Sequence, residues 1–303
     1  MAVPLTPDQL VRALRAEGVT VVEVPGWRQN NRNHKGLWGP VHGTMLHHTV
    51  TPKTMSAVPL CFNGHSELPG PLCHGVIRRN GEVHLVGNGR ANHAGGGDPD
   101  VLQAVIAENY GTRPPAPNEH QGSPGAVDGN AVFWGWECEN EGDGDDPWPA
   151  VQVEAMVRVS AALCRAQDWG AKSTIGHLEW SDWKNDPRGP DNVVSMPGLR
   201  LRIAERLLHP ANWNPGTTSK PPAPKPPVEN NVAISDADIK RITLAVQGYR
   251  NAQTNQASID AGHGRIPDAY GYTTLTHGLV TALIAEVKAL RTEVAALRRE
   301  SGR

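Results

Sequence analysis

Apolar and polar positions change period several times along the chain, and each change predicts an element. DQLVRALRAEG (8–18) predicts a first helix, with Thr6 as a cap and Gly18 as a stop. VTVVEV (19–24) alternates and is β-branched, so it predicts a strand, and RQNNRNHKGLWGPVH (28–42) predicts a loop. TMLHHTVT (44–51) predicts a short buried strand. CHGVIRRNGEVHLVG (73–87) predicts a hairpin with a tight primed turn at Asn80-Gly81. Residues 95–130, rich in Gly, Pro, Asp and Asn, predict a long ordered loop. AVFWGWECEN (131–140) predicts a central strand, and WPAVQVEAMVRVSAALCRAQDWG (148–170) a helix ending at Gly170. STIGHLEW (173–180) predicts a last strand leading into the loop SDWKNDPRGPDN, and PGLRLRIAERLLH (197–209) a helix with Pro at its start. The fold class that follows is α/β, a central mixed β-sheet flanked by helices.

The pattern breaks near residue 209. HPANWNPGTTSKPPAPKPPVENN is dense in Pro and predicts an extended, semi-stiff linker. All nine tryptophans lie at or before Trp213. Beyond the linker, Ser235 and Asp238 suggest a cap before IKRITLAVQGYRNAQ. Leu283, Val287, Leu290, Val294 and Leu297 then step by four and three, which is a heptad seam and predicts self-association. The expected organisation is a domain over 1–208, a linker over 209–231 and a helical C-terminal region over 232–303.

Composition narrows the function classes. The 29 Lys and Arg against 31 Asp and Glu give a formal charge of −2, which argues against a general nucleic-acid or membrane-surface binder. No run of about 18 apolar residues exists, so no membrane insertion is expected. The first residues, MAVPLTPDQLVRALRAEG, are amphipathic rather than basic and then apolar, so they do not read as a signal peptide. Cys61, Cys73, Cys138 and Cys164 are too few and scattered for a disulfide scaffold.

The 13 histidines make metal chemistry worth testing. A catalytic zinc needs three ligands on rigid elements and one open position. Side chains alternate along a strand, so only one of His47 and His48 can face a given site. His177, at a strand end, and Asp186, nine residues on, would complete a set of two imidazoles and a carboxylate.

The segments TMLHHTVT, LCHGVIRRNGEVHLVG, RANHAGGG, WGWECEN and GHLEWSDWKNDPRGP occur in this order. Together they resemble the zinc-dependent N-acetylmuramoyl-L-alanine amidases of the peptidoglycan-recognition superfamily, over residues 20–208. The resemblance implies cleavage of the amide between muramic acid and the first L-alanine of the stem peptide, with Zn2+ as cofactor and bacterial peptidoglycan as partner. It places the metal ligands at His47, His177 and Asp186, the last from the Lys184-Asn185-Asp186-Pro187 motif. It implies Glu137 as general base and acid, with Glu139 a competing candidate, and Lys184 as stabiliser of the developing oxyanion. It suggests His74 and His93 as substrate-groove residues, or as groups orienting a ligand, with His48 facing away. Some of Trp38, Trp134, Trp136, Trp180 and Trp183 would be groove walls and the others core. Some relatives carry a tyrosine where this chain has Cys73, which reads here as a small buried thiol rather than a nucleophile.

VVEVPGWRQNNR (21–32) resembles the lead-in of lysis amidases from phages that infect actinobacteria. That resemblance implies an endolysin held in the host cytoplasm until lysis. Two alternatives share the fold: a non-catalytic peptidoglycan-binding module, whose members typically lose a zinc ligand, and a virion-associated wall-opening enzyme.

Overall fold

The structure is a computed structural model that describes residues 2–190 and 193–214. The linker beyond residue 214, the capped helix and the heptad seam lie outside the described residues.

Six strands form one mixed sheet: β1 (Val21–Glu23), β2 (Gly43–His48), β3 (Gly75–Ile77), β4 (Val83–Leu85), β5 (Phe133–Cys138) and β6 (Thr174–Gly176). Their order is β1-β4-β3-β5-β2-β6. Every neighbouring pair is parallel except the hairpin β3/β4. Among the described residues the helices are α1 (Pro7–Ala16), α2 (Val58–Asn63), α3 (Pro99–Ala107), α4 (Ala150–Gln167) and α5 (Met196–Leu207).

Strand alternation sorts the side chains. On β2 and β5, Leu46, Trp134 and Trp136 face the larger core, where they meet Leu10, Leu14, Met156, Val159 and Ile203 of α1, α4 and α5. Met45, Phe133 and Ile175 face the other side, where Trp180 and the α3 residues Val101 and Val105 cover them. His47 and His177 lie two residues on from Met45 and Ile175, and Glu137 four on from Phe133, so the second face is the one that leads to the site. Because β2, β5 and β6 are parallel, their carboxyl ends meet at one edge, where open α/β sheets place their ligand crevice.

Local chemistry explains most boundaries. Thr6 and Gln9 form a reciprocal capping box at α1. Ser195 caps α5, with Pro197 in its first turn.

Three expectations need correction. The hairpin turn is not the two-residue primed type: Arg78 N–H donates to Glu82 O (2.8 Å), and only Gly81 has positive φ, at 84°. A primed turn of that kind needs left-handed backbone at Asn80 as well. The stretch 95–130 is not all loop. Asp98 accepts from Asp100 N–H and starts α3, with Pro99 at its first position. That cap was legible, but the surrounding Gly and Pro masked it. Helix α4 stops at Gln167 with Asp168 left-handed (φ 57°), two residues before Gly170.

Candidate metal centre and substrate cleft

Three side-chain atoms converge at the sheet edge. His47 Nδ1 lies 3.0 Å from His177 Nδ1 and 3.1 Å from Asp186 Oδ2, and His177 Nδ1 lies 3.2 Å from the same oxygen. All three residues are buried. His47 is the penultimate residue of β2, His177 follows β6, and the loop bearing Asp186 is pinned by Leu178 N–H donating to Asp186 O (2.8 Å).

The second ring nitrogens reveal what converges. Phe133 O can only accept, so His93 Nε2, 3.0 Å away, carries a proton. Burial and the neighbouring imidazoles keep His93 well below the usual histidine range, so it is neutral and its Nδ1 accepts. The proton between His93 Nδ1 and His47 Nε2 (3.0 Å) therefore sits on His47. Burial lowers His47 to about 4, so its Nδ1 is a bare lone pair at neutral pH. Ala94 O, 3.2 Å from His177 Nε2, likewise takes that ring's proton and leaves Nδ1 unprotonated in the neutral form.

Burial works to raise the Asp186 carboxyl; a ring proton from His177 or His47 facing Oδ2 would hold it below the usual carboxylate range, but with both Nδ1 atoms bare neither ring donates to it. Two lone pairs and a carboxylate oxygen facing one another repel unless a cation lies among them. A tetrahedral zinc with bonds of about 2.0–2.1 Å has donor–donor edges of about 3.3 Å. The observed separations are close to that, so the donor set fits zinc by chemistry and spacing.

Glu137 lies beside this set, opposite His47 in the β2/β5 register. It lines the same cleft, of about 360 Å³, as His47, His177, Asp186 and Lys184. Its Oε2 is buried with no hydrogen-bond partner. Burial pushes the carboxyl up to about 8; the Asp186 charge adds to the rise and Lys184 opposes it.

Glu139 is differently placed. It accepts from Ala57 N–H (3.0 Å) and Arg79 N–H (3.4 Å), and Arg78 Nε lies 3.5 Å away. Those bonds tie it to the loops beyond the strand, outside the residues that line the cleft.

His93 reaches the cleft, but both its ring nitrogens are engaged, one by His47 and one by Phe133 O. It backs a ligand rather than offering a free nitrogen to substrate. Two features missed in the sequence hold it. Asn130 Oδ1 accepts from the N–H groups of His93 (2.8 Å), Ala94 (2.8 Å) and Gly95 (3.3 Å). Gly135 leaves room for the ring, since a Cβ there would stand 2.4 Å from His93 Cγ. A lone glycine inside FWGWE was the available signal.

His74 does not reach the cleft. It is fully buried, accepts from Gly135 N–H (2.9 Å) and donates to Gly89 O (2.8 Å). Backbone on two elements takes both its ring nitrogens, so its place is structural. His48 lines the cleft mouth but is not among the converging donors. Cys73 is buried in an apolar cluster with Cys61, Val76 and Val86, and burial raises its thiol, which makes it inert as a nucleophile. Trp134, Trp136 and Trp180 are core, whereas Trp183 is 68% exposed.

A family profile described as N-acetylmuramoyl-L-alanine amidase matches residues 37–189, which contain every residue of this cleft. The chain belongs to that family. Solved structures with a similar fold include a selenomethionine derivative of AmpD (17% identity, TM-score 0.38, covering 61% of this chain and 94% of that one). Another is the endolysin amidase LysCS from Clostridium intestinale (16% identity, TM-score 0.36, covering 60% and 94%). A third is AmiD from E. coli in complex with anhydro-N-acetylmuramic acid-L-Ala-D-gamma-Glu-L-Lys (13% identity, TM-score 0.37, covering 56% and 60%). No curated protein matches the chain. Among the described residues, no helix is long and apolar enough to cross a membrane.

Proposed function

We propose that this member of the amidase family is a zinc-dependent peptidoglycan hydrolase that cleaves the bond between N-acetylmuramic acid and L-alanine. The observation that carries the reading is an unpaired buried Glu137 oxygen in the same cleft as two imidazole lone pairs and one carboxylate. His47, His177 and Asp186 would hold the zinc, which when bound supplies Lewis acidity toward water and the scissile carbonyl.

Glu137 is placed to take a proton from the attacking water as its oxygen bonds to the lactyl carbonyl carbon. The carbon–nitrogen bond then breaks, and Glu137 returns the proton to the departing alanine amine. Lys184, on the same cleft, stabilises the negative charge that builds on the carbonyl oxygen. His93 holds the His47 ring in the tautomer that presents Nδ1.

Digestion of purified peptidoglycan by wild type, Glu137→Ala and chelator-treated protein, read by mass spectrometry, tests this. Free stem peptides beginning with L-alanine are expected from wild type alone, with zinc restoring the chelated sample. Binding without cleavage would instead establish a recognition module, and cleavage elsewhere would show a different bond.

The biological setting proposed is lysis of an actinobacterial host by a phage endolysin, supported by the lead-in VVEVPGWRQNNR. Detection of the protein in purified particles would move it to the virion. The region after the Pro-rich linker is proposed to self-associate through its heptad seam and raise wall affinity by avidity. Light scattering during size-exclusion chromatography of the full chain checks this, and a strict monomer overturns it.

A further inference from the structure

The donor cleft opens into a second, larger cavity of about 720 Å³ that shares His93, His177, Trp183 and Lys184 with it. Trp183 stands at the junction. One face of its indole is covered by His120, whose ring stacks at 3.5 Å between centroids and 15° between planes. The indole is nevertheless 68% exposed.

The stack is held from both loops. His120 Nδ1 pairs with Asp182 Oδ1 (2.9 Å), His120 N–H donates to Ser123 Oγ (3.0 Å), and Asp182 N–H donates to Glu119 O (3.3 Å). A large aromatic ring is thus fixed flat with its free face toward solvent, one residue before Lys184. Fixing it in advance lowers the entropy cost of using it as a contact surface.

The chemistry of the larger cavity says what that face would meet. Its polar lining is mostly neutral: Asn92, Gln121, Ser123 and Asn130, with several backbone groups of the glycine-rich turns. Among its charged residues, Arg90 and Asp128 are joined in a direct salt bridge and offset each other, which leaves the ammonium of Lys184 only at the junction with the donor cleft. A stem peptide carries free carboxylates and would call for cations along its path. A pyranose with hydroxyl and acetamido groups calls for a flat apolar face and neutral hydrogen-bonding partners.

Resting on the amidase reading, we infer that the Trp183–His120 stack is the platform for the muramyl sugar ring, which places the glycan strand along the larger cavity. Trp183 is then a specificity-determining residue that favours substrates still attached to their sugar.

The test compares two substrates with the same scissile amide: N-acetylmuramoyl-tripeptide, and a D-lactoyl-tripeptide that lacks the pyranose. With full-length zinc-loaded protein, the expected result for Trp183→Ala is a fall of about three- to tenfold in the ratio of kcat/KM values, sugar-bearing over sugar-free. The loss should lie in KM. Trp183→Phe should keep most of the ratio, and His120→Ala should lower it by less than Trp183→Ala.

An unchanged ratio, whether both rates fall together or neither falls, overturns the platform and favours a peptide contact or a role in supporting Lys184. Binding of N-acetylmuramoyl-tripeptide, followed by tryptophan fluorescence, is independent of turnover. A wild type that binds it with a Trp183-dependent signal but cleaves neither substrate would sink the amidase reading and leave the platform standing.

Discussion

Two buried carboxylate sites sit close together in this chain and are built in opposite ways. Glu179, two residues after His177, is gripped by Arg200 through bonds of 2.7 and 2.8 Å. Arg200 also donates to Thr174 O and Thr112 O, so charge and hydrogen-bonding capacity are both satisfied. Glu17 is handled the same way by Arg206 and Arg165. Glu137 has an oxygen with no partner, beside two imidazole lone pairs and the Asp186 carboxylate. The first arrangement ties α5 to β6 through Arg200 and ties α1, α4 and α5 together through Glu17. The second leaves polar groups unsatisfied, which costs stability unless a ligand completes them. Burial of a carboxylate is therefore no guide to its role; whether the protein itself completes its bonding is.

The largest expected effect breaks the contrast at the open site. Glu137→Ala should lower turnover of muramoyl peptides by about 10²- to 10⁴-fold, the range for a lost general acid–base group. Bound zinc, measured by metal analysis, should stay. Loss of zinc together with activity would show that Glu137 acts on the metal set rather than on substrate.

At the closed site, Arg200→Ala strands Glu179 in a buried setting and should cost about 3–5 kcal/mol in urea unfolding. Replacing both partners with methionine should recover much of that. A single variant as stable as wild type would mean the pair anchors nothing.

His93→Ala removes the partner of His47 Nε2. Zinc affinity, measured against a competing chelator, should weaken by about 10- to 100-fold. Unchanged affinity would make His93 a wall residue only.

The smallest effect sharpens the electrostatics. In metal-free protein, folding raises the Glu137 carboxyl from 4.5 to about 8. Between those values the folded state holds a proton that the unfolded state has released, so this group's contribution to stability falls as pH rises. Glu137→Gln should flatten that slope in chelator-treated samples, read as denaturation midpoints across the window. Parallel slopes for the two proteins would count against a raised Glu137. Occupation of the donor set by a divalent cation should lower the carboxyl and shrink the difference.

Much of this was legible before any coordinates. The short buried run TMLHHTVT and the alternation in AVFWGWECEN predicted two strands, which the sheet pairs, and the cap at Thr6 placed α1. The order of five short motifs pointed to His47, His177 and Asp186, whose donor atoms the structure brings together. Other features resisted. Helix α3 was hidden by its Gly- and Pro-rich surroundings. His74 looked like a groove residue because sequence shows a histidine but not the two backbone groups that claim its nitrogens.

The sequence by itself determined the periods of its elements, the parity that puts His47 on the strand face of Met45 and Glu137 on that of Phe133, and the residue types suited to zinc. Those are local properties, carried by spacing along the chain. Only the tertiary structure decided which of Glu137 and Glu139 is left unpaired, which ring nitrogen of His47 is bare, and that His120 lies under Trp183. Each depends on atoms brought together from distant segments: Ala57 against Glu139, Phe133 O behind His93, and residues 120 and 183 across two loops. Hydrogen bonding and stacking act over a few ångströms, so they report three-dimensional neighbours that no sequence spacing records.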